Sequence, residues 1–229
     1  MSEFQALEKL IGYEFSNREL LFEALTHKSY SHEHKLVRNY ERLEFLGDAV
    51  LQLIVTEYLV AKYKDYDEGI LSKFRGYFVS EDFLSEISKE INIGEYILLG
   101  KGEESSGGKS KNSLLCDIFE SLVAAVYLDG GYNHARSVVI LLCSDKIDEI
   151  IREDKFLDSK TELQKYAQKF YDQLPKYTVV SEYGPEHDKV FVVNVYLDGK
   201  LLGTGRGKSK KKAEQEAAKN ALLNIKVDV

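Results

Sequence analysis

The chain has 229 residues, 44% hydrophobic and 30% charged, which excludes a disordered tail or a membrane-embedded protein and leaves room for one substantial core and a second, smaller one. The formal charge is −7, but residues 1–157 carry −10 and the residues from Asp158 onward +3, so the acidic whole does not exclude a phosphate-rich partner for the second part. No apolar run approaches the roughly 18 residues of a membrane span. The start, Met1-Ser2-Glu3-Phe4-Gln5, lacks the basic and apolar stretches of a secretory signal, and two cysteines, Cys116 and Cys143, cannot build a disulfide framework, so a reducing cytoplasm and no membrane partner are expected.

From Glu3 to about Ile151, apolar residues recur at three- and four-residue spacing, the helical period. Ser16-Asn17-Arg18-Glu19 fits a capping box opening a helix through about Leu25. Further helices are expected near Asn39 to Tyr63, Glu68 to Phe78, Ser80 to Glu90, Ser113 to Leu128 and Asn133 to Ile151. The stretch from Gly100 to Asn112 contains Gly107-Gly108-Lys109-Ser110, but a phosphate loop would need glycine where Glu103 stands and a strand before it; a flexible connector is expected instead. Arg152-Glu153-Asp154-Lys155 reads as a linker. Beyond it, Ser159 to Tyr171 reads as a helix, and Tyr177 to Glu182, Val190 to Tyr196 and Lys200 to Gly205 as strands, with Asp198-Gly199 as a hairpin turn. A helix over Ser209 to Leu223 closes the chain. The expected fold is multidomain: an all-α domain over 1–151, a linker over 152–157, and a small α+β domain of α-β-β-β-α order over 158–229 with both helices on one sheet face.

The segment richest in chemistry is Glu41-Arg42-Leu43-Glu44-Phe45-Leu46-Gly47-Asp48-Ala49-Val50-Leu51. On a helix Glu44 and Asp48 share one face, whose stripe continues through Leu51 and Val55. Asp117 and Glu120 repeat the device, leading into Ala124 and Leu128. Carboxylates crowded beside an apolar core either rise in pKa or take a counter-charge. Oxygen ligands without a Cys or His cluster point to Mg²⁺ or Mn²⁺ rather than Zn²⁺, and such a centre suits in-line phosphoryl displacement. Each pair taken alone fits a solvated, exposed turn better, two such pairs each heading an apolar stripe favour the site, and periodicity does not bring the two helices together. Gly207-Lys208-Ser209-Lys210-Lys211-Lys212 gathers four lysines at a helix N-terminus, where free N–H groups attract phosphate, although a solvated lysine run reads equally well.

The run Glu41 to Leu51 resembles the signature of the bacterial ribonuclease III family, and Asp117-Ile118-Phe119-Glu120-Ser121-Leu122 resembles its second acidic motif. The resemblance spans essentially the whole chain, with a nuclease domain at about 5–128 and a double-stranded-RNA-binding domain at about 157–226. It implies that Glu44, Asp117 and Glu120 ligate Mg²⁺, with Mn²⁺ as a substitute, while Asp48 and Glu120 organise the attacking water. Glu41 and Glu68, the latter in Asp67-Glu68-Gly69-Ile70-Leu71-Ser72, match acidic positions that meet RNA near the cut. A homodimer is implied, with Phe45 entering the partner subunit, although an aromatic here suits ordinary core equally. Thr161, Gln164 and Gln168, and His187 in Gly184-Pro185-Glu186-His187, match minor-groove positions, and Lys210 and Lys211 match phosphate contacts across the intervening major groove.

The activity implied is Mg²⁺-dependent cleavage of double-stranded RNA to 5′-phosphate and 3′-hydroxyl ends, acting on ribosomal-RNA and messenger-RNA precursors. Two readings from other classes stand beside it: a duplex-binding protein that does not cut, and a dimerisation scaffold whose acids hold a structural cation. His187 has no nucleophile motif beside it and is not read as a catalytic base. Cys116, one residue off the acidic stripe, reads as a small buried side chain, and His27 receives no role.

Overall fold

In the structure, a computed structural model that describes residues 4–35, 37–152, 159–185 and 189–227, the chain divides into two units, Met1–Phe156 and Leu157–Val229. The first is helical: α1 (Gln5–Ile11), α2 (Arg18–Ala24), α3 (Lys28–Glu33), α4 (Glu41–Lys62), α5 (Glu68–Phe78), α6 (Glu81–Glu90), α7 (Lys101–Ser105), α8 (Asn112–Gly130) and α9 (Tyr132–Arg152). Short polar side chains start several of them. Asn17 Oδ1 accepts from Glu19 N at 3.1 Å, Asp67 Oδ1 from Ile70 N at 2.9 Å and Ser80 Oγ from Phe83 N at 3.4 Å. The cap of α2 is therefore Asn17 and not Ser16; Ser16 instead donates its backbone N–H to Asp129 Oδ2 at 2.8 Å, near the end of α8.

Helix α8 is the axis of this unit. From Leu114 to Val126 every residue but Asp117 is buried, the pattern of a core helix surrounded by others, and α2, α4, α6 and α9 pack around it. Leu128, expected to extend the acidic helix's stripe, is exposed. Helix α4 buries Leu43, Gly47, Val50, Leu51, Ile54, Val55 and Leu59 at helical spacing. Gly47 marks the crossing with α8, for a Cβ there would overlap the carbonyl oxygen of Glu120. Ser121, fully buried, donates its hydroxyl to Ala24 O at 2.8 Å and so ties α2 to α8.

Residues 100–112 are not a featureless connector. They fold into α7 and a 3-10 turn at Gly108–Ser110, held by Lys101 N donating to Glu33 Oε1 at 2.9 Å and by Lys111 Nζ donating to Glu103 Oε1 at 2.6 Å. Composition reported the small residues and missed these anchors, which come from outside the stretch or span it. Thr26 and Leu98 add an isolated parallel β-bridge to the otherwise helical unit.

The second unit holds α10 (Ser159–Tyr171), β1 (Lys176–Tyr183), β2 (Val190–Leu197), β3 (Lys200–Gly207) and α11 (Lys210–Val227), with the strands antiparallel in the order β1-β2-β3. Asp198 and Gly199, with φ of 49° and 73°, form the tight turn between β2 and β3 in the left-handed conformation such hairpins need. Leu163 of α10, Val193 and Val195 of β2, and Ala213, Ala217, Ala218 and Ala221 of α11 make the core. Gly203, Gly205 and Gly207 on β3 leave α11 room to lie against the strand, since a Cβ on any of them would strike α11 backbone. The multidomain all-α plus α+β fold expected from the sequence is the one observed. Of the predicted linker, Arg152 belongs to α9, and 153–157 lie outside the described residues. Among the described residues no helix is long and apolar enough to cross a membrane.

The crossing at Gly47 yields a stability prediction with an internal control. Gly47→Ala must push α4 off α8 and is expected to destabilise by about 2 kcal/mol, lowering the first unit's melting temperature by roughly 4–8 °C. Gly76→Ala in α5, whose Cβ would meet nothing within 4 Å, is expected to be neutral or stabilising by up to about 1 kcal/mol. Equal melting temperatures for the two variants would contradict the crossing.

Candidate active site

Glu44 and Asp48 flank Gly47 on α4, and Gly47 lies on the backbone of Glu120, so the crossing gathers acids from both sequence motifs. Their electrostatics report the crowding. Glu120 is only 8% exposed; burial first, then the carboxylates of Asp48, Glu44 and Asp117, push its carboxyl up to about 8. Glu44 is raised by burial, then by Asp117 and Glu41, with Lys28 opposing. Asp117 is also raised, burial outweighing the Tyr40 hydroxyl and the charges of His27 and Lys28. Among the described residues no three His, Cys, Asp or Glu side chains converge closely enough to hold an ion as they stand. The four acids share one neighbourhood without forming a closed cage.

Neighbouring groups orient them. Gln52 Nε2 donates to both oxygens of Asp48, at 2.8 and 3.0 Å, one helical turn away. Tyr40 donates its hydroxyl to Asp117 Oδ2 at 2.9 Å, and burial together with the Asp117 charge keeps that phenol protonated well beyond its ordinary range. The thiol of Cys116, buried beside Asp117, is raised by burial and by the adjacent acids, which fits its reading as a small buried side chain and removes it as a nucleophile. Tyr40 and Gln52 escaped the sequence reading. Gln52 carried a usable signal, four residues after Asp48, whereas the Tyr40 partner lies 77 residues away.

The remaining candidates of this unit lie around the cluster. Glu41 stands at the start of α4, where Lys28 Nζ and Asn39 Nδ2 both donate to it at 3.4 Å. Glu68 accepts from Ser72 Oγ at 2.9 Å and, with Thr56, Val60 and Arg75, lines a cleft of about 290 Å³ between α4 and α5. Phe45 is 85% exposed, which excludes the ordinary-core alternative.

In the second unit Thr161, Gln164 and Gln168 fall on one face of α10 and line, with Lys165 and Lys169, a surface groove of about 460 Å³. Gln168 Nε2 donates to Asp172 Oδ1 at 2.6 Å. Lys210 and Lys211 open α11 and are exposed, the Lys210 ammonium lying 5.9 Å from the centre of the Phe191 ring. His187 lies outside the described residues.

Glu120 makes the stability of the ion-free protein pH-dependent. The folded state keeps its proton up to about 8, whereas 4.5 is the ordinary value, so its contribution is full below 4.5 and is lost as pH rises through 8. In EDTA, the melting temperature is expected to fall from about pH 5 to 8 more steeply for the wild type than for Glu120→Gln, which cannot ionise. Parallel curves would contradict the placement of Glu120 among the other acids.

Residues 17–146 match the family described as Ribonuclease-III-like, and residues 159–225 match the Double-stranded RNA binding motif. Ribonuclease 3 of Caldanaerobacter subterraneus subsp. tengcongensis is 46% identical over 220 residues, covering 96% of each chain. Ribonuclease 3 of Aliarcobacter butzleri is 43% identical over 226 residues, 99% of each. The solved nuclease domain of ribonuclease III from Campylobacter jejuni superposes with a TM-score of 0.59 at 42% identity, covering 62% of this chain and 97% of that one. With a nuclease unit that carries both acidic motifs and a second unit built as a duplex-binding motif, the chain belongs to the ribonuclease III family of double-stranded-RNA endoribonucleases.

Proposed function

We propose that this chain is a Mg²⁺-dependent endoribonuclease of the cytoplasm that cuts double-stranded RNA to 5′-phosphate and 3′-hydroxyl ends, working as a homodimer on ribosomal-RNA and messenger-RNA precursors. The observation that carries the catalytic part is the crossing of α4 and α8 at Gly47, which gathers Glu44, Asp48, Asp117 and Glu120. The nuclease domain is taken as 1–151, the linker as 152–157 and the RNA-binding domain as 158–229.

The donor chemistry fits a hard divalent cation. All four acids offer oxygen, and a partly open set suits Mg²⁺, which keeps waters and substrate oxygens in its shell; Mn²⁺ takes the same donors. Glu44, Asp117 and Glu120 would hold the ion. When bound, it neutralises charge on the scissile phosphate and lowers the pKa of water. Asp48, aimed by Gln52, and Glu120 orient the water for attack. Glu120 must give up the proton that it holds near neutral pH before it can ligate. The water oxygen bonds to phosphorus and gives up a proton to solvent as the bond to O3′ breaks, and O3′ takes up a proton from solvent.

Recognition falls to the second unit. Thr161, Gln164 and Gln168 on one face of α10 would enter one minor groove and His187 the next, with Lys210 and Lys211 on the phosphates between them, a span of about 16 base pairs read by shape. Glu41 and Glu68 would meet RNA beside the cut. The exposed Phe45 is the anchor proposed for the partner subunit, and the Campylobacter jejuni nuclease domain has a region involved in dimer formation.

The test is an incubation with a perfect RNA duplex of a few dozen base pairs, in Mg²⁺ or in EDTA. Mg²⁺-dependent cuts are expected from the wild type, and at least about 10²-fold slower cutting from Glu120→Gln, with duplex binding retained. Duplex binding without cuts in the wild type would replace this function with that of a non-cleaving duplex-binding protein.

A further inference from the structure

Tyr40 is the residue before α4, is 4% exposed, and its side chain reaches the acidic cluster by donating its hydroxyl to Asp117 Oδ2 at 2.9 Å, while its carbonyl accepts from Glu44 N at 2.9 Å as the helix begins. Its ring is clamped. It stacks on His27, with centroids 5.8 Å apart and planes 23° from parallel, and its backbone N–H donates to Thr26 O at 3.0 Å. His27 is fixed in turn. Its Nδ1 accepts from Ser29 N at 3.2 Å and lies 2.8 Å from Ser29 Oγ, and its backbone N–H donates to Leu98 O at 3.0 Å. Ser29 Oγ also accepts from Gly100 N at 2.8 Å, at a glycine whose Cβ would collide with Ser29 O and the Glu33 carboxylate. Two segments outside α4 and α8, around His27 and around Gly100, thus brace one phenol against one carboxylate oxygen. Packing alone does not call for the hydroxyl, because phenylalanine would fill the same space.

We propose that Tyr40 is a positioning residue for ion binding: by holding Asp117 Oδ2 it fixes the carboxylate and leaves Oδ1 as the oxygen offered to a divalent cation, with His27 as the plate that sets the ring. The proposal rests on the reading of Glu44, Asp117 and Glu120 as ligands. A carboxylate already oriented by an outer partner loses less freedom when it ligates, and removing such partners weakens metal affinity by about 10–100-fold.

Tyr40→Phe keeps the ring and deletes the hydrogen bond. Mn²⁺ is titrated without RNA into the wild type, Tyr40→Phe and Glu120→Gln, with free Mn²⁺ followed by electron paramagnetic resonance at a temperature where all three are folded. Tyr40→Phe is expected to bind Mn²⁺ about 10–100-fold more weakly. The Mg²⁺ concentration for half-maximal cleavage should rise in parallel, while kcat at saturating Mg²⁺ recovers and duplex binding in EDTA is unchanged. Mn²⁺ affinity within about twofold of the wild type, whatever the melting temperature, would confine Tyr40 to packing and overturn the proposal. A wild type whose Mn²⁺ binding is untouched by Glu120→Gln would overturn the ligand reading itself, and this proposal with it; the Glu120→Gln arm tells the two failures apart.

Discussion

The passage of α4 across α8 at Gly47 is the contact on which the chemistry proposed for the nuclease unit depends. A residue with no side chain lets one helix rest on the carbonyl of Glu120 in the other, and that closeness crowds four acids drawn from sequence positions some seventy residues apart. Repulsion between like charges one helical turn apart amounts to about 0.2–0.5 kcal/mol per pair on an exposed helix and more where water is scarce. The opposing contribution is larger. Each fully buried Leu, Ile or Phe side chain contributes about 1.5–3 kcal/mol, and the helices that carry the acids bury Leu51, Ile54, Val55, Ile118, Phe119 and Leu122. The core therefore holds together a group of carboxylates that would otherwise separate; burial raises the pKa values of Glu44, Asp117 and Glu120, and neighbouring carboxylates add to the rise at Glu44 and Glu120.

The second unit relies on the same device. Gly203, Gly205 and Gly207 on β3 face the alanines of α11, so helix and strand approach backbone to backbone, and the N-terminus of α11 with Lys210 and Lys211 is fixed relative to the sheet. Small residues here set where charged ones stand. In one unit the approach concentrates negative charge, and in the other it presents positive charge.

What the sequence made legible follows from the range of the interactions involved. The spacing of Glu44 with Asp48, and of Asp117 with Glu120, is a local, helical property and could be read directly, as could the β2–β3 turn at Asp198-Gly199. The pairing of the two acidic helices was not readable from period alone, because the glycine that permits it looks like any other helical glycine until its partner is known. Asn17 displaced Ser16 as cap at a site where Asp129, far along the chain, takes the Ser16 N–H. The stretch 100–112 looked flexible because its anchors include Glu33, outside its own composition. The bracing of Asp117 by Tyr40 and His27 was invisible for the same reason: it lies in contacts with Asp117, Ser29 and Leu98.

The most direct test of the account is diffraction from crystals soaked in Mn²⁺, recorded at the manganese absorption edge. The account predicts anomalous density at the α4–α8 crossing, in contact with Glu44, Asp117 and Glu120, and its disappearance in Glu120→Gln. Density elsewhere, or an ion at the crossing that persists in Glu120→Gln, would contradict the claim that backbone contact at Gly47 builds the centre.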